Sequence, residues 1–252
     1  REATGYGVSH MNLFDLYGVW LASAGVDLAR QSPHVRNTIN YWLHATVPTL
    51  DKLVPIGDQA RVSEPVVYDY HRIIMLEAQL LSPNTEEAKW ANWWMDNTSL
   101  TRASAGFNSQ FELLERVALP ERPTRLSYYA QGAGAYFARS SWETNATHLS
   151  MVAGQFEESH AGQEQGGFSF FKNGWLAVTS NIWSHSGIFQ NTGSHNVLRF
   201  DKADGATVPQ NQYSDNVAPV LIESTDADGT KRGSTDLSVA YSKNISLVQS
   251  WK

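Results

Sequence analysis

Apolar positions in the first 120 residues recur at helical spacing. Leu13, Phe14, Leu16, Tyr17, Trp20 and Leu21 form one stripe, which ends near Gly25. Val35, Ile39, Trp42 and Leu43 form a second, opened by Ser32-Pro33 and closed before Pro48. A third stripe runs over 66–81, with Tyr70, Ile73, Ile74 and Leu76 expected to face inward and Pro83 to end it. Residues 86–95 predict a fourth helix, with Asn84 as its cap and acidic residues in its first turn, where the helix dipole favours them. Phe111, Leu113, Leu114 and Val117 predict a shorter fifth. Helices joined by modest loops, with no strands between them, read as a bundle or toroid.

The pattern changes at Pro120-Glu121-Arg122-Pro123. Beyond it, β-forming runs broken by turns predict strands within 127–142, 148–156, 168–179, 194–200 and 217–224. Lys172-Asn173-Gly174-Trp175 predicts a hairpin with a two-residue Asn-Gly loop, and Asp226 to Gly229 a further turn. The expected class is α+β. Residues 1–124 would form a helical bundle or toroid, and residues 125–252 an antiparallel β-sandwich.

Composition narrows the function classes. The 252 residues carry a formal net charge of -6, and Lys and Arg are scattered, so no nucleic-acid footprint is visible. The absence of cysteine excludes a disulfide framework and a thiolate metal site. No stretch approaches the ~18 uninterrupted apolar residues of a membrane helix. Nine tryptophans suit core packing in a helical layer or stacking against sugar rings. The opening residues lead at once into a helical pattern and the last look like a strand cut short. The chain is therefore expected to continue at both ends in the natural protein.

The most informative stretch is 157–168, Glu-Glu-Ser-His-Ala-Gly-Gln-Glu-Gln-Gly-Gly-Phe. It places His160 among polar and glycine residues directly before an apolar strand. Gln163 and Glu164 can hydrogen-bond hydroxyl groups, and the glycines let a ligand approach the backbone. A core strand has no use for this composition, whereas a site for a polar substrate does.

These features, in order, resemble the heparinase II/III-like polysaccharide lyases. Glu2-Ala3-Thr4-Gly5-Tyr6-Gly7 is similar to the family's segment bearing a catalytic tyrosine, and Pro55-Ile56-Gly57-Asp58 to a turn between toroid helices. Tyr136-Phe137-Ala138-Arg139 through Trp142 resembles the first sandwich strand. His160 to Phe168, followed by Asn173-Gly174-Trp175-Leu176, resembles a signature strand pair. Ser194-His195-Asn196-Val197 resembles the His-Asn step after it. The resemblance implies β-elimination on a uronic-acid-containing polysaccharide of alginate or glycosaminoglycan type. Tyr6 would be the acid, with the base either Tyr6 itself or His160, which otherwise stabilises charge; the helices would belong to an incomplete α/α toroid, and a bacterial periplasmic or secreted location is implied. His10, one helical turn from Tyr6, would lower the tyrosine's basicity barrier; a free phenol has a pKa of ~10. Asp58, Arg139, Gln163 and Glu164 would join His10 in binding an anionic polysaccharide. No nucleic acid or membrane partner is expected, and a homo-oligomer is left open.

The chain also departs from the family pattern. Where members often carry metal-binding residues, this chain has Gly162 and Thr179, leaving His195 alone of the usual set. One histidine does not make a zinc site, so no cofactor is expected to be required, although a divalent metal held by other groups stays open. The family's carboxylate-neutralising residue has no counterpart segment, and Arg139 is the substitute in view. Two other readings remain open on the sequence: a glycoside hydrolase on a related toroid, using two of Asp15, Asp58, Glu157, Glu158 and Glu164, and a non-catalytic glycan-binding protein.

Overall fold

A computed structural model describes residues 7–57, 65–104, 106–154, 161–183, 189–211, 221–225 and 228–242. The chain begins with helices α1 (Gly7–Ser23), α2 (Leu28–Gln31), α3 (His34–Ala45), α4 (Asp69–Leu81) and α5 (Glu86–Asn97). Strands β1 (Ser127–Ala130), β2 (Ala135–Arg139), β3 (His148–Val152), β4 (Phe168–Phe171) and β5 (Trp175–Ala177) follow. Next come β6 (Leu221–Thr225), β7 (Lys231–Thr235) and the short α6 (Ser238–Tyr241). The fold is mixed α+β, helices first.

The helix ends follow from local chemistry. Thr46 closes α3 by donating its hydroxyl to Trp42 O at 2.7 Å, and Thr46 Oγ1 in turn accepts from Trp94 Nε1 at 2.8 Å, fastening α3 to α5. The cap of α5 is Thr85, not Asn84: its Oγ1 accepts from Ala88 N at 3.1 Å. Asn84 instead takes φ 64°, the left-handed conformation that asparagine tolerates. The third stripe becomes helical only at Asp69, because Val66 pairs with Lys52 in an isolated bridge. Tyr70, expected inward, is exposed, whereas Ile73, Ile74 and Leu76 are buried. The fifth helix is a 3-10 segment, Gly106–Leu113. It is held by Glu112, whose carboxylate takes two bonds from the buried Arg72 guanidinium, at 2.5 and 3.1 Å.

The five strands form one antiparallel sheet in the order β1-β2-β3-β4-β5, a meander. The β4–β5 turn has three residues, not two. Phe171 pairs with Trp175, and Asn173 (φ 54°) and Gly174 (φ 146°) carry the positive angles. The strand expected at 194–200 does not form. Thr192–Ser194 is a 3-10 turn, and the side chains of His195 and Asn196 bond to neighbouring segments in place of a ladder. Strands β6 and β7 make a separate two-stranded ribbon, with Gly233 of β7 lying against the Tyr136 ring of β2. Among the described residues there is thus a five-stranded sheet and a ribbon.

One core runs through both halves. Ile39, Trp42, Leu43, Ile74, Met75 and Trp94 of the helices pack in the same cluster as Phe137, Val152 and Phe171 of the sheet. Full burial of each large apolar side chain contributes about 1.5–3 kcal/mol. At the seam, Arg139 of β2 donates to Thr46 O at 2.6 Å, and its guanidinium lies 3.7 Å above the Trp142 ring. His148 Nε2 donates to His44 O at 2.8 Å. Burial, then the nearby Arg139 charge, holds His148 down to about 3 and His44 well below the ordinary histidine range, so both rings are neutral.

Helix α1 is two-sided in an unusual way. Leu13, Phe14, Tyr17 and Trp20 are exposed, while Asp15 is wholly buried against α4, which carries the buried Glu77. Burial raises Asp15 to about 8; burial and then the neighbouring Asp15 raise Glu77 to about 9. Both carboxyls are therefore largely protonated at neutral pH, which removes the cost of burying two like charges.

Candidate functional site

The segment after His160 folds back on the sheet. Gly166 N donates to Val152 O at 2.7 Å and Val152 N to Gly167 O at 2.8 Å, extending the β3 pairing, while Gly167 N donates to Glu164 O at 2.8 Å to make a tight turn into β4. A second segment, 189–196, is fixed beside it. Gln163 N donates to Gln190 O at 2.7 Å and Gln190 Nε2 to Ala161 O at 3.0 Å. The Asn181 side chain holds both backbone groups of Phe189.

Between these segments and the helical half lies a small, open cleft. Pro55 and Ile56 form its helical-side wall. Ser150, Glu164, Phe168, Ser169, Thr179, His195 and Asn196 bring its polar and aromatic groups from the sheet side. His195 and Glu164 are almost completely buried, with Nδ1 and Oε2 3.9 Å apart. Thr179 Oγ1 lies 3.1 Å from His195 Nδ1 and donates to Ser194 O at 2.8 Å. Asn196 Nδ2 donates to Phe168 O at 3.2 Å, bracing the half-exposed Phe168 ring at the cleft's edge. An imidazole beside a carboxylate, with an amide, two serines and an aromatic face nearby, can move a proton and bind hydroxylated ligands.

The expected site residues divide into three groups. Glu164 and His195 come together in the cleft. Gln163 and Arg139 do not line it. The Gln163 side-chain oxygen accepts from Gln210 N at 3.0 Å, and Arg139 is committed to Thr46 O and the Trp142 face in the core. Arg139 alternates with aromatic residues because it seals the seam with α3, so a substrate carboxylate would have to displace that core contact. Tyr6, Asp58 and His160 lie outside the described residues, as does the His10 side chain, although His10 itself is on α1. Ser150, Phe168 and Asn196 line the cleft without having been picked as site residues; Phe168, closing the 157–168 stretch, and Asn196, in its His-Asn step, carried a sequence signal.

A metal of the kind the family resemblance brings does not fit the described residues. Among them no three His, Asp or Glu side chains converge. The two positions that would complete the set are a glycine and a threonine, and the Thr179 hydroxyl is engaged in hydrogen bonds.

No protein-family model matches the chain, and no curated protein matches it. Solved structures do show similarity. The heparinase III BT4657 gene product aligns with TM-score 0.46 at 14% identity, over 79% of this chain and 29% of that one. A structure titled heparinase III aligns at 0.47 and 12%, over 80% and 32%. The heparan sulfate lyase HepC from Pedobacter heparinus aligns at 0.39 and 18%, over 77% and 28%. The chain thus spans about a third or less of these proteins, and similarity at this level fixes neither a family nor an activity. Among the described residues, no helix is long and apolar enough to cross a membrane.

Proposed function

We propose that this chain is part of a polysaccharide lyase that cleaves a uronic-acid-containing polymer by β-elimination. The observation that carries the reading is the histidine- and carboxylate-bearing cleft between the helical half and the sheet, lined by Glu164, Thr179, His195 and Asn196. Two of its lining residues are near neighbours in sequence of residues singled out above: Ile56 precedes Asp58 by two positions, and Glu164 follows His160 by four. In this reading Tyr6 and His160 exchange the C5 proton and the proton delivered to the leaving oxygen, each transfer contributing about 10²–10⁴-fold. His195 and Asn196 bind the sugar from the sheet side, and Phe168 offers a ring face to pyranose C–H groups. Such polymers are met outside the cytoplasm, so we place the protein in the periplasm or beyond the cell.

Incubation of the protein with alginate, hyaluronan, chondroitin and heparan sulfate tests this, with the ultraviolet absorbance of an unsaturated uronate as readout. Absorbance that is lost in Tyr6→Phe and in His160→Ala supports the reading. New reducing ends without absorbance, or no cleavage of any of the four polymers, would overturn it.

A further inference from the structure

The Thr179 hydroxyl stands where three hydrogen-bonding groups meet. It has one proton to give and two lone pairs to receive. Its proton goes to Ser194 O, the shortest of the contacts at 2.8 Å. The amide of Asn181 donates to Oγ1 at 3.2 Å, taking one lone pair. What remains for His195 Nδ1, 3.1 Å away, is the second lone pair, and a ring nitrogen facing a lone pair must bring its own hydrogen. Glu164 Oε2, 3.9 Å from the same nitrogen, favours a proton there as well. The opposite nitrogen, Nε2, faces Gly162: a Cβ at that position would stand 2.8 Å from Nε2 and 3.0 Å from Cε1.

We propose that Thr179 is a positioning residue that fixes His195 in the Nδ1–H tautomer and so leaves the unprotonated Nε2 packed against Gly162. The hydroxyl does for the ring what a carboxylate or backbone carbonyl often does: the bond at one nitrogen sets the state of the other. Gly162 and Thr179 act together in this arrangement. The glycine leaves room at Nε2, and the threonine orients the ring into that room. In a neutral histidine side chain free in water the proton prefers Nε2, so the site holds the ring against its intrinsic preference. For the lyase proposed above, on which this part rests, the ring so fixed keeps this wall of the cleft in one protonation pattern.

The test is the ¹⁵N spectrum of histidine-labelled protein at pH 8, with two-bond couplings to the ring protons. The chain has 8 histidines, and His195 is assigned by the resonance lost in His195→Gln. Wild type and Thr179→Ser should show a protonated Nδ1 and a bare Nε2; Thr179→Val should move the proton to Nε2. Where a uronate polymer is cleaved, Thr179→Val should lower kcat about 10-fold with KM little changed, and Thr179→Ser should recover it. A wild-type ring protonated at Nε2 overturns the proposal, as does a folded Thr179→Val whose ring is unchanged. If Thr179→Val does not fold, the wild-type and serine spectra decide. A bare Nε2 in a protein that cleaves no polymer upholds the assignment and overturns only the lyase reading.

Discussion

Replacing Asp15 by Asn removes one proton that folding takes up, and the effect on stability has a calculable pH dependence. Asp15 is wholly buried on α1 against α4, and burial raises it from 3.8 to about 8. The unfolded carboxyl ionises near 3.8, whereas the folded one stays protonated until about 8. The folded state therefore binds the extra proton between those values. The stability Asp15 allows is fully present below 3.8 and is lost as pH rises toward 8. The loss is about 1.4 kcal/mol per pH unit, which amounts to about 1.7 kcal/mol at pH 5 and about 4 kcal/mol at pH 7. Asparagine has nearly the same shape and does not titrate. Any cost of burying its amide is the same at every pH, and so cancels from the slope. Urea unfolding of both proteins at pH 5, 6 and 7, followed by circular dichroism, should show the variant gaining on the wild type by about 2–3 kcal/mol between pH 5 and 7. Parallel stability curves would refute the reasoning, because they would mean Asp15 exchanges no proton on folding. Glu77, raised to about 9 by burial and by Asp15, gives a second proton of the same sign. The double variant with Glu77→Gln should therefore roughly double the slope difference.

The remaining predictions concern other parts of the fold. His148 is held down to about 3 against an ordinary 6.5, so its contribution is intact above 6.5 and lost as pH falls. Wild type should lose about 2 kcal/mol from this ring between pH 6.5 and 5, and His148→Gln should not show that loss in matched urea titrations. Gly162→Ala would put a methyl 2.8 Å from His195 Nε2, displacing the ring. It should lower turnover of any cleaved polymer by about 100-fold while far-ultraviolet dichroism stays native. Glu112→Ala strands the buried Arg72 guanidinium and should cost about 3–5 kcal/mol in urea unfolding.

Much of the local structure was legible from side-chain pattern. The stripes at 35–43, 66–81 and 86–95 became α3, α4 and α5, and the change at Pro120 separates the helices from the first strand. The β-formers at 127–142 supplied β1 and β2, and Asn173-Gly174 marked the hairpin although not its loop length. Two residues lining the candidate cleft lie in stretches the sequence singled out: Glu164 in the polar stretch before β4, and His195 in the His-Asn step. In sequence, a strand cation flanked by aromatics, as Arg139 is, looks alike whether it faces a ligand or a ring stack. Only its 3.7 Å contact with Trp142 and its bond to Thr46 O, ninety-three residues away, distinguish the two.

The sequence by itself determined most of the helical and extended segments and the chemistry available at 160–168 and 194–197. Periodicity and capping act within a few residues, so they are written locally. The tertiary structure decided which faces are buried and which side chains meet. It exposed the apolar Leu13–Trp20 stripe of α1 and buried Asp15. It withheld a strand from 194–200 because His195 and Asn196 found partners elsewhere. It also brought Glu164, Thr179 and His195 around one cleft. Those choices depend on contacts between segments tens of residues apart, and no local pattern encodes the free energy of such a contact.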